Sequence, residues 1–178
     1  TAGATVVKVE SGGRPDGTRR GDPRFFDWMN ASKLSYAIDF GDDGLRSLLE
    51  AADLVIEGSR PAALNRRGLG PEQVRARPGR IWLRITGYGT EGQHAIADPL
   101  TGLAATQAVL DSLMRGGGET VEIALAEVAA DFATLPLTFE SSDFAPPRRP
   151  ALPPTSAPEL GADNQRVREL VERRLASC

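Results

Sequence analysis

The sequence predicts an α/β protein: a mostly parallel sheet with helices on both faces. Three observations carry this. Short runs of β-branched and aliphatic residues, "ATVVKVE", "LVIE", "IWLRIT" and "TVEIAL", recur along the chain. Segments with apolar residues at helical spacing fall between them, so successive strands are too far apart for hairpins. The composition, 40% hydrophobic and 25% charged, is that of a globular chain with a real core. Strands joined by helical crossovers run parallel, and such sheets bind ligands at the carboxyl ends of their strands.

Ala4 to Glu10 reads as a buried strand, followed by the polar Gly/Pro/Asp loop "SGGRPDGTRRGDPR". "FFDWMN" gathers three of the chain's few aromatic residues into a core or interface plug. Lys33 to Phe40 is the second expected strand. In "GDDGLRSLLEAAD", Leu45, Leu48, Leu49 and Ala52 share a helical face, with Asp42 and Asp43 in the first turn. Leu54 to Glu57 is a short buried strand. "GSRPAALNRRGLG" reads as a helix with Ser59 as cap, Pro61 in the first turn and Gly68 as stop. "GPEQVRARPG" reads as another short helix, and Ile81 to Thr86 as a further strand.

A longer helix follows Asp98, with Leu100, Leu103, Leu110, Leu113 and Met114 on one face and "RGGG" ending it. "TVEIAL" alternates as a strand, and "AEVAADFATLPL" reads as a helix. "FAPPRRPALPPTSAP" is a proline-rich, extended linker. Asp163 then caps a last amphipathic helix with Val167, Leu170, Val171 and Leu175 on one face.

The bulk properties exclude several function classes. A length of 178 residues suits one domain, or one and a small appendage. A net charge of -3 gives no electrostatic case for nucleic acid or an anionic membrane surface. The one cysteine, Cys178, forms no internal disulfide, and with one histidine, His94, a histidine-rich metal site is excluded. No run is long and apolar enough to span a membrane, and "TAGATVVKVE" lacks the leader of a signal peptide. The expectation is a cytoplasmic protein without a metal.

Five places carry possible chemistry. "GYGTEG" matches the glycine pattern of dinucleotide-binding turns, but it follows at least the fourth strand instead of the first; a tight turn at the sheet's carboxyl edge explains it better. His94 reads as a solvated loop side chain before it reads as a general base. Arg66, followed by Arg67, reads first as a favourable charge near a helix C-terminus and second as a grip on phosphate; Lys33, at a strand start, has the same two readings in the same order. Asp98, directly before Pro99, is a standard helix start. A carboxylate held ionised there and facing a cleft is also a candidate nucleophile, and both roles need the same geometry.

The order of "GATVVKVE", "NASKLSYAIDF", "ADLVIEGSRPAALNRRGLGPEQV", "PGRIWLRITGYGTEG", "ADPLTGLAA" and "GGGETVEIALAEVA" resembles the family III CoA-transferases, which include formyl-CoA transferases and α-methylacyl-CoA racemases. "APELGADNQRVRELV" resembles that family's C-terminal return segment. The resemblance implies a Rossmann-like large domain, an interlocked homodimer, and transfer of CoA from an acyl-CoA to a small carboxylic acid. It places the catalytic aspartate at Asp98, and Lys33, Ser59 and Arg66 along the coenzyme A.

On this basis residues 1–144 form the CoA-binding and catalytic domain, 145–161 the linker, and 162–178 a helix returning to the large domain. Gly58-Ser59 stands where many members have Asn-Phe, and Ser11 where many have arginine. Members also carry a further N-terminal strand and helix, a longer segment before the aspartate, and a small domain. Against that pattern the chain reads as truncated, with the small domain absent or shortened. Three alternatives remain at this level: a racemase of the same family, a non-catalytic CoA-binding subunit, and a dinucleotide-dependent oxidoreductase using "GYGTEG".

Overall fold

The computed structural model describes residues 3–58, 63–87, 98–134, 151 and 153–177. All described strand pairs are parallel, as expected, but the strands divide between two sheets, one of two strands and one of three. The chain forms two compact units, Thr1–Leu48 with Ser141–Cys178, and Leu49–Glu140.

In the first unit, β1 (Val7–Glu10) pairs with β2 (Leu34–Ala37) in the register Val7 to Leu34 and Glu10 to Ala37. Between them lie a 3-10 turn over Gly17–Arg20 and helix α1 (Pro23–Asn30). Asp22 caps α1 by accepting a hydrogen bond from the Arg24 N–H, with Pro23 at the first helical position. The aromatic plug splits by helical phase. Phe26 and Asn30, four residues apart, are buried, while Phe25, Trp28 and Met29 remain about half exposed. Helix α2 (Asp43–Ala51) starts on a cap from Asp42, whose carboxylate accepts from the Gly44 N–H, and it buries Leu45 and Leu49 as expected.

The free edge of β2 is closed by the C-terminal segment. Helix α5 (Asn164–Ala176) packs on β2 and buries Val167 and Val171. Asp163 stands at the expected cap position, but its carboxylate makes no bond to its own helix; it accepts from the Ser35 N–H at 2.8 Å. The Asn164 amide then accepts from the Ala37 N–H at 2.8 Å and donates to the Ala37 carbonyl at 2.9 Å, as a neighbouring strand would. Two side chains thus satisfy backbone groups that a missing strand would leave open. Asn164→Ala is expected to cost about 1–3 kcal/mol, because Ala37 is left with two unpaired backbone groups. Hydrogen exchange at the Ala37 amide should accelerate by about tenfold or more; an unchanged rate would show that the edge is closed by other means.

In the second unit, β4 (Ile81–Thr86) is the central strand, flanked by β3 (Leu54–Glu57) and β5 (Thr120–Ala124). Ile81, Trp82 and Leu83 are buried in succession, the pattern of a strand covered on both faces. The expected helix over "GPEQVRARPG" is absent. Only one turn forms, closed by the Val74 N–H on the Gly70 carbonyl. Six residues between Pro71 and Pro78 are too few to sustain a nucleus. Arg77 within this segment and Arg80 just after it have another use. Arg80 donates to the carbonyls of Glu50, Ala52 and Arg75, and Arg77 to that of Ala51, so the segment closes the C-terminus of α2.

Helix α3 (Asp98–Met114) packs against β4, β5 and α4 (Leu125–Ala133). Here the sequence misleads in an informative way. The buried face is Thr101, Ala105 and Ser112, whereas Leu103, Leu110, Leu113 and Met114 are exposed, Met114 at 88%. Small side chains allow close approach to the sheet, and the leucines point away from it. At the end of α3, Gly117 adopts φ 66° against the Gly79 carbonyl, where a Cβ would have no room.

Candidate functional site

Asp98 is the first residue of α3, and it is exposed. Among the described residues Asp98 is the first of α3, so its carboxylate lies in the first turn, near the positive end of the helix dipole. The order β4, α3, β5 with parallel strands makes α3 the crossover. A crossover helix runs opposite to its strands, which places Asp98 at the sheet's carboxyl edge, where this architecture binds ligands.

Arg66 lies in a 3-10 turn over Asn65–Arg67 that ends at Gly68 in the left-handed conformation, the expected stop. The two arginines differ in availability. Arg67 donates to the Ala63 carbonyl at 3.0 Å, whereas exposed Arg66 makes no hydrogen bond or ion pair among the described residues. Ser59 and His94 lie outside the described residues, as does "GYGTEG" beyond Gly87.

Lys33 belongs to the first unit, and Arg66 and Asp98 to the second. Its ammonium donates to Asn30 Oδ1 at 3.2 Å within a filled cluster that includes Lys8, Arg19, Phe26 and Ser35. Burial, and then the charge of Lys8, lower its pKa below the usual lysine value.

A second polar cluster escaped the sequence reading. Register places Glu57, Arg84 and Glu122 side by side across β3, β4 and β5. The Arg84 guanidinium donates to Glu57 Oε2 and to Glu122 Oε1, each at 3.3 Å, and to Asn65 Oδ1 at 2.9 Å. Buried Glu57 also accepts from the Trp82 indole N–H at 3.1 Å. One signal was present in the sequence: each of the three strand runs carries one charge, in the order Glu, Arg, Glu. Only the register shows that the three share a rung.

Comparison with known proteins identifies the family. The family model for CoA-transferase family III matches residues 1–96, just over half of the chain. The chain belongs to that family. The match stops two residues before Asp98.

Among relatives, a probable fatty acyl-CoA transferase of Mycobacterium tuberculosis is 34% identical over 106 residues, 52% of this chain and 27% of that protein. Succinyl-CoA:glutarate CoA-transferase of Mus musculus is 36% identical over 120 residues, 57% of this chain and 28% of that protein. A crystal structure of the M. tuberculosis protein aligns with a TM-score of 0.62 at 27% identity, over 73% of this chain and 48% of that one. A CAIB/BAIF family protein from Brucella suis shares the fold, with a TM-score of 0.63 at 24% identity, over 74% of this chain and 48% of that one. The matched region is thus about a quarter of the curated relatives' length and about half of the solved structures'.

Proposed function

We propose that the chain acts in CoA transfer, moving CoA from an acyl-CoA thioester to a small carboxylic acid through a covalent intermediate on Asp98. The observation that carries this is the exposed carboxylate at the start of a crossover helix in a member of this family.

The Asp98 carboxylate attacks the thioester carbonyl. The C–S bond breaks, leaving an acyl-aspartyl anhydride and CoA thiolate. The thiolate attacks the aspartyl carbonyl, expels the donor acid as its carboxylate, and forms an aspartyl-CoA thioester. The acceptor carboxylate attacks this thioester and releases the thiolate again. Thiolate attack on the acceptor's acyl carbonyl gives the new acyl-CoA and restores Asp98. Covalent catalysis divides one difficult exchange into easier steps.

Exposed Arg66, which makes no hydrogen bond or ion pair among the described residues, suits a CoA phosphate. Lys33 and Ser59 complete the proposed CoA contacts. Residues 1–144 would supply the CoA-binding and catalytic domain, in a cytoplasmic, interlocked homodimer. The exposed leucines of α3 support a partner on that face.

The test is chemical trapping. The purified protein is incubated with a panel of acyl-CoA thioesters, hydroxylamine is added, and Asp98 is examined by mass spectrometry. A hydroxamate at Asp98 is expected. A panel that leaves Asp98 unlabelled would overturn the transferase reading.

A further inference from the structure

We propose that Arg84 is a positioning residue for acyl-CoA binding: it holds the Asn65–Arg67 turn so that Arg66 is presented to a CoA phosphate. This rests on the CoA-transfer reading and adds a residue to which no role has been given.

Three features lead there. First, the Arg84 guanidinium is fixed before it reaches the turn. Glu57 on one neighbouring strand and Glu122 on the other accept from Nε and Nη1, leaving Nη2 for Asn65. The guanidinium is planar and its donors form a fixed fork, so two anchored nitrogens set the direction of the third. Its side chain is 19% exposed, which strengthens these charge-assisted bonds relative to a solvated pair.

Second, Asn65 is held from the other side. Its side-chain amide occupies the space that a Cβ on Gly70 would fill, and the Gly70 N–H donates to Gln73 Oε1 at 3.0 Å. Asn65, Gly70, Gln73 and Arg84 also line a polar cavity of about 120 Å³ beside the turn. Third, the turn is short. The Arg67 and Leu69 N–H groups return to the Leu64 carbonyl, and that of Gly68 to the Asn65 carbonyl. A fixed Asn65 therefore fixes the backbone of the next residue, Arg66. The sheet's central strand thus sets the place of an exposed cation through one hydrogen bond.

Two substitutions separate this role from simple stabilisation. Arg84→Lys keeps the positive charge between Glu57 and Glu122 but lacks the fork that reaches Asn65. Asn65→Ala removes the acceptor and leaves the rung of charges intact. Affinity is measured for an acyl-CoA and for the matching acyl-pantetheine, which carries the same thioester without nucleotide phosphates. Both variants should bind the acyl-CoA about tenfold more weakly, the loss of one charge-assisted hydrogen bond's worth of positioning. They should bind the acyl-pantetheine as the unaltered protein does. Adding either change to Arg66→Ala should cost nothing further.

Equal losses for both ligands would overturn the proposal, since general loosening of the unit does not distinguish phosphate. So would undiminished acyl-CoA binding in both variants while Arg66→Ala weakens it; CoA binding through Arg66 would then stand without Arg84. An unaltered protein that binds no acyl-CoA at all would remove the CoA-transfer reading itself, and this proposal with it.

Discussion

Asp98→Asn is expected to lower turnover by at least about a thousandfold, roughly 4 kcal/mol in the barrier, while the protein stays folded. An amide has nearly the carboxylate's size, but it does not attack a thioester to give an anhydride. The structural cost is small by comparison. Asp98 is exposed in the first turn of α3, so losing its charge removes about 0.3–1 kcal/mol of interaction with the helix dipole. The two effects are therefore well separated in magnitude. Acyl-CoA binding should survive, and the hydroxylamine-trapped adduct should vanish. Asp98→Glu keeps the nucleophile but displaces it by about one methylene, which should leave turnover about a hundredfold down and restore some trapping. Steady-state turnover, differential calorimetry and trapping on the same three proteins check this. Unimpaired turnover in Asp98→Asn would remove Asp98 from the chemistry.

The backbone frame was more legible than the packing, for physical reasons. Leu54–Glu57 and Ile81–Thr86 appear in the structure with the bounds read from sequence, because a short aliphatic run between polar breakers has few alternatives. The first two strands are shorter than their apolar runs suggested. Helix α3 shows the limit of periodicity. The leucine stripe is real, but periodicity finds a face without saying what it meets. The buried face is instead that of Thr101, Ala105 and Ser112, on a helix packed against β4 and β5. The "GPEQVRARPG" segment is too short between its prolines to sustain a helix, and Arg77 in it and Arg80 after it serve the carbonyl end of α2, a contact no local window contains.

The site followed the same division. Asp98 was legible as a helix start from its local pattern, while the chemistry proposed for it comes from the family resemblance. The Glu57–Arg84–Glu122 rung was not, because it exists only once three separate strands are aligned. The resemblance to CoA-transferases came from the order of whole segments, and the family match supports it over residues 1–96.

Arg19→Ala is expected to destabilise the first unit by about 3–5 kcal/mol, because it leaves the buried Glu10 carboxylate without its main partner. Arg19 donates to both Glu10 oxygens, with Nη2 to Oε2 at 2.6 Å. The Glu10 side chain is only 3% exposed. The same guanidinium reaches Ser35 Oγ and the Pro158 carbonyl, and lies 4.5 Å above the Phe26 ring. One side chain therefore joins β1, β2, α1 and the returning C-terminal segment.

The pH dependence separates these contributions. The hydrogen bond from Arg19 is the largest influence holding the Glu10 carboxyl below its ordinary value of 4.5, against the opposing effect of burial. Asp16, bonded to Lys8 at 2.7 Å and to the Thr18 N–H, is lowered from 3.8 to about 2. Both folded-state values lie below the unfolded ones. The stability they contribute is thus fully present above the ordinary carboxylate range and lost as pH falls through the folded values.

Removing Arg19 raises the Glu10 carboxyl. The deficit of Arg19→Ala should then be largest near neutrality and narrow below pH 4.5, where the unaltered protein loses its own contribution from Glu10. Urea midpoints taken across that range read the effect directly. What remains at the acid end measures the contacts to Ser35, Pro158 and Phe26, which do not titrate. Glu10→Gln supplies the complementary control. It keeps an acceptor for Arg19 and for the Asp16 N–H but carries no charge to desolvate, so its cost should be smaller and nearly flat across the same range. A deficit for Arg19→Ala that stays constant with pH would instead assign its whole effect to packing.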